Sequence, residues 1–134
     1  MIASPPGKQL APLLAPAVIV HSRQQTNQVL ALNLPVTLLS PPGAGAYGGA
    51  GWWRNIIEPV RHHNPTLAFD DILDCGLSLS YTLAVARYGQ KYLIARGAPL
   101  LFAEVSGQVG AAGGILWSHP PPALECSLKT PENS

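Results

Sequence analysis

Charge is scarce in this chain. Of its 134 residues only 11% are charged, 8 Lys and Arg against 7 Asp and Glu, for a net charge of +1. Globular chains carry about 25%. That even balance excludes nucleic-acid binding by bulk positive charge, so no nucleic-acid partner is expected. Hydrophobic residues at 47% exclude an intrinsically disordered chain. Two cysteines exclude a disulfide-stapled scaffold. No apolar run reaches the ~18 residues a membrane helix needs, so no membrane partner is expected. The stretch from Leu10 to Val20 is broken by Pro12 and Pro16, and no cleavage pattern follows. It does not read as a signal peptide, and the expected location is cytoplasmic. So few charges also mean little polar surface. Some apolar surface should lie between subunits, and a homo-oligomer is expected.

The length suits a single domain. Short β-branched, apolar runs alternate with helix-like segments. The runs from Ala17 to Val20, Val36 to Ser40, Asp71 to Asp74, Tyr92 to Ala95 and Ile115 to Trp117 read as five buried strands. Ser22 with Gln25 three residues on is a capping-box pattern opening a helix that Pro35 stops. Trp53, Ile56, Ile57 and Val60 form an apolar stripe at helical spacing, with Pro59 predicting a kink or break. A third helix runs from Ser78 to Tyr88. A fourth begins at Pro99, with Leu101, Phe102, Val105 and Val109 on its buried face. Strands separated by helices imply βαβ units, hence an α/β three-layer sandwich with a five-stranded, mostly parallel sheet of flavodoxin-like or Rossmann-like order. Residues 1–16 read as a Pro/Ala-rich tail, 17–119 as the domain, and 120–134 as a Pro-rich, polar tail.

Ligands of open parallel sheets bind at the carboxyl ends of the strands. The loop 41–51 lies at such an end. Within it, Gly43-Ala44-Gly45-Ala46-Tyr47-Gly48 fits G-x-G-x-x-G between a strand and a helix. Glycines at that spacing permit a tight turn and let backbone N–H groups approach a phosphate. Over these six residues the loop resembles the dinucleotide-binding fingerprint. The resemblance implies a nucleotide or phosphate held by Gly43, Gly45 and Gly48, with Ser40 and Tyr47 adding hydrogen bonds and Arg96 offsetting charge. A Gly45→Val change would then abolish binding and leave the fold intact. The loop departs from the fingerprint at Pro41 and Pro42, which precede the first glycine. It also carries extra glycines at Gly49 and Gly51. Asp70 has the right spacing for the ribose contact, but Asp74 is the acid at a strand's carboxyl end. A glycine-rich connection without a ligand, or one packed on a partner subunit, fits the same residues.

Other strand ends carry His21, Asp74, Cys75 and His119. A Cys–His pair with an orienting acid is a nucleophile constellation, suited to acyl or thioester chemistry if these ends converge. G-x-S-x-G is absent, and Cys75 reads equally as a small buried residue. Asp74 holds the place of the phosphoacceptor in a receiver domain. His21-Ser22 stands where the acidic pair for Mg²⁺ should be, and Ser118-His119 where a lysine should be, so a working receiver is excluded and a degenerate receiver-like module stays open. His62-His63 with Glu58 supplies too few ligands on one helix face, and no metal is expected. Trp52, beside Trp53 of the stripe, and the second helical row Tyr81, Val85 and Tyr88 are the candidate subunit interface. Two functions follow: a homo-oligomeric, non-enzymatic interaction module, or an enzyme using the loop 41–51 on a small phosphorylated ligand.

Overall fold

The alternating runs assemble into one parallel sheet. The computed structural model describes residues 14–126. In chain order the elements are β1 (Ala17–Ile19), α1 (Arg23–Leu30), β2 (Thr37–Leu39), α2 (Ala44–Tyr47), α3 (Gly49–His63), β3 (Asp70–Asp74), α4 (Leu79–Arg87), β4 (Tyr92–Ile94), α5 (Pro99–Ala111), β5 (Ile115–Trp117) and β6 (Ala123–Glu125). The sheet order is β5-β4-β3-β2-β1-β6, and every neighbouring pair is parallel. The α/β class expected from the sequence is present: a parallel sheet flanked by helices. It has six strands, not five. The sixth, β6, falls inside 120–134, where the sequence suggested only tail. The expected tail residues 1–13 and 127–134 lie outside the described part.

Strand order decides where the helices go. From β1 to β5 each strand lies beside the previous one, and right-handed crossovers stepping one way put every connection on one face. Packing agrees. Val18, Leu38, Leu73, Leu93 and Leu116 point into one apolar cluster with Val29 and Leu30 of α1, Trp53, Ile56, Ile57 and Val60 of α3, Val85 of α4 and Phe102, Val105 and Val109 of α5. The alternate strand residues form a second cluster, Ala17, Leu39, Ile72, Ile94 and Trp117, with Leu14, Ile19 and Tyr92 packed on it.

The link from β5 to β6 adds a constraint. Trp117 to Ala123 is six Cα steps, which reach about 20–22 Å at most. β5 and β6 are opposite edges, five spacings apart, or about 24 Å in a flat sheet. The chain cannot bridge a flat sheet, so this one curls its edges toward each other. All the helical residues of these clusters lie in the first, while the second is built from strand residues with Leu14 packed on it.

Local chemistry sets the helix ends. Gln25 N donates to Ser22 Oγ at 3.1 Å, and Gln25 Oε1 accepts from His21 N at 2.8 Å, so the predicted cap forms. Pro59 does not break α3, which runs unbroken from Gly49 to His63. Proline removes the N–H that would bond Asn55 O four residues back. Arg23 Nη2 from α1 donates to that same carbonyl at 3.0 Å. The last turn is closed by side chains: His63 Nδ1 donates to Pro59 O at 2.7 Å and Asn64 Nδ2 to Val60 O at 2.8 Å.

Candidate functional site

The carboxyl edge of β1–β4 holds most of the predicted site residues. Ser40, at the exit of β2, is buried. Its hydroxyl accepts from Asp74 N at 2.9 Å and donates to Pro41 O at 3.1 Å. Asp74 is buried at the exit of β3, and its Oδ1 accepts from Gly76 N at 2.8 Å. Ser40 and Asp74 thus bond backbone, fixing where the chain leaves β2 and β3. Arg96 is half-buried beyond β4, and its N–H donates to Gly76 O at 2.7 Å.

The glycine loop folds as helix, not as an open cradle. Gly43, at φ +71°, is the N-cap of the one-turn α2. Gly45 is buried against β3, where a Cβ would lie 2.8 Å from Cys75 Sγ and 3.0 Å from Leu73 Cγ. The glycine is there because two backbones approach closely. Gly45→Val would therefore strain the fold itself, so the expectation of an intact fold does not hold. A Cβ on Gly48 would meet Trp52, 3.2 Å away, and Gly49, at φ +84°, faces the Tyr81 hydroxyl. Tyr47 is exposed.

The proposed nucleophile set is divided. Cys75 is fully buried on the helical side of the sheet. Burial, opposed by a hydrogen bond from Thr82 and aided by the nearby Asp74 charge, pushes its thiol up to about 11. At neutral pH it is a thiol, not a thiolate nucleophile. His21 Nε2 pairs with Glu125 of β6, and His119 Nδ1 lies 2.8 Å from Ser118 Oγ. Among the described residues, no three of His, Cys, Asp and Glu gather where a metal could be held.

The interface candidates also separate. Val85 is core. The buried stripe of α4 is Leu79, Thr82, Val85 and Ala86. Trp52 and Tyr81 are half-buried against the core, Trp52 with its ring 5.9 Å from that of Trp53. Tyr88 is exposed.

Two features escaped the sequence. The first is a cleft of about 300 Å³ at the opposite, amino edge, between α3 and the starts of β3 and β4. Asp71 organises it. Its carboxylate accepts from Trp53 Nε1 at 2.8 Å, Arg61 Nη2 at 2.7 Å and Gln90 Nε2 at 3.0 Å. Arg61 also stacks over Phe69, 4.3 Å from the ring centre. An acid inside an apolar strand run was the available signal. The second is a set of exposed apolar side chains at adjacent strand exits: Tyr47 after β2, Leu77 (81% exposed) after β3, and Leu100 (88%) and Leu101 after β4. The segments leading out of these strands approach one another: a Cβ on Gly76 would lie 3.2 Å from Gly43 Cα, and one on Gly97 would clash with Leu79 of α4.

No family model matches this chain, and no curated protein or solved structure resembles it significantly. No helix among the described residues is long and apolar enough to cross a membrane.

Proposed function

We propose that this protein is a homo-oligomeric interaction module, without catalysis, that associates through the carboxyl edge of β2–β4. The observation carrying this reading is the exposure of Leu77 and Leu100 on neighbouring exits, flanked by Tyr47 and Leu101. Exposed leucines scattered singly are ordinary, but several at the exits of neighbouring strands favour association. The low charge of the chain supports the same reading, since little surface charge opposes contact between copies. A cytoplasmic location accords with two unpaired cysteines.

The test is light scattering at ~10 µM, the micromolar range in which such an interface should hold, on the natural chain and on Leu77→Asp with Leu100→Asp. The natural chain should be a dimer or larger, and the double variant should be smaller with an unchanged circular dichroism spectrum. A monomeric natural chain at that concentration refutes the proposal.

A further inference from the structure

We infer that two copies of this chain exchange β6, each adding its last strand to β1 of the other. The inference rests on the self-association reading and adds a second contact between copies, at the β1 edge and separate from the carboxyl edge of β2–β4. Among the six strands, β6 is the one whose residues are all exposed, Leu124 among them. Its recognition is concentrated on one neighbour. Ala123, Leu124 and Glu125 pair with Ala17, Val18 and Ile19, Cys126 N donates to Ile19 O at 3.0 Å, and Glu125 meets His21 at the exit of β1. A second copy offers the identical β1, so each of these contacts can form between chains without new chemistry.

The connection favours the exchange. Only residues 118–122 join β5 to β6, and Pro120, Pro121 and Pro122 stiffen them. Closing β6 onto its own sheet requires the two edges to come within about 22 Å, a demand met only by curling the sheet. Between two copies that demand disappears. Short, constrained hinges of this kind are the ones that lead to exchange of terminal elements.

The register that sets Ile19 opposite Glu125 makes the test direct. In a Cys126→Ser background, Ile19→Cys and Glu125→Cys, opposite each other in the register, are placed together in one chain and oxidised at ~10 µM, the concentration of the association test. Exchange predicts a covalent dimer on a non-reducing gel. A cross-linked monomer, with the dimer still intact by light scattering, overturns the exchange and leaves self-association standing. A monomer before oxidation removes both. A second variant inserts four Gly and Ser residues between Pro122 and Ala123, leaving every pairing residue in place. Exchange predicts that this longer hinge lowers the dimer fraction at least threefold. An unchanged fraction overturns it even where the cysteine variant fails to fold.

Discussion

A proline inside α3 lets one hydrogen bond be weighed. Pro59 leaves Asn55 O without its helical donor, and Arg23 Nη2 supplies one from α1 at 3.0 Å. Replacing Arg23 by Met keeps most of the side-chain stem and removes the guanidinium. A hydrogen bond to a charged group contributes about 1.5–3 kcal/mol when enclosed. Here the bond is exposed, water can reach the abandoned carbonyl, and the expected loss falls to roughly 0.5–1.5 kcal/mol. For a chain of this length that is a Tm drop of roughly 2–6 °C. Pro59→Ala restores an N–H at position 59, so Asn55 O regains its own donor. In that background Arg23→Met should cost less than about 0.3 kcal/mol, near the limit of additivity for independent sites. The assay is urea unfolding of the four proteins of the cycle, followed by tryptophan fluorescence with the m-value held as a control. Equal losses in the two backgrounds would refute the reasoning. They would mean that Arg23 acts through something other than the carbonyl Pro59 leaves open.

Asp71→Ala removes the acceptor shared by Trp53, Arg61 and Gln90. It strands Arg61 beside Phe69, and the expected cost is about 2–4 kcal/mol in urea unfolding; a loss below ~1 kcal/mol would deny Asp71 its organising role. Cys75, raised to about 11, should resist iodoacetamide at pH 8.5 in the native protein while half-buried Cys126 is modified. Equal labelling rates would contradict its burial. The native pKa lies above that of the unfolded thiol, so the unfolded chain loses its proton first. This contribution to stability is full below about pH 8.5 and declines as pH rises toward 11. Against Cys75→Ala, the natural chain should show the steeper decline across that window.

The strands were legible because a parallel sheet is buried on both faces, and burial leaves apolar, β-branched runs such as Ala17 to Ile19 and Tyr92 to Ile94. The stripe Trp53, Ile56, Ile57 and Val60 was legible for the same reason and is buried as a unit. β6 was not. Ala123-Leu124-Glu125 has no apolar pattern, because its residues face solvent and its strand character comes from the free edge of β1. Continuity through Pro59 was equally hidden, since the donor that offsets the proline sits 36 residues earlier, at Arg23. Asp71 looked like one more strand residue because its partners come from α3 and from the turn before β4.

The glycine loop shows most sharply what a motif records. G-x-G-x-x-G states that the backbone needs positive φ or close approach at fixed intervals, and both needs are present here. Gly43 takes the positive φ, and Gly45 takes the close approach. What the spacing does not record is the object approached. In a dinucleotide site it is a pyrophosphate; at Gly45 it is Cys75 Sγ and Leu73 Cγ of the neighbouring strand. A protein core can therefore select the same glycines as a ligand. The space beside Gly45 is filled by the chain's own atoms.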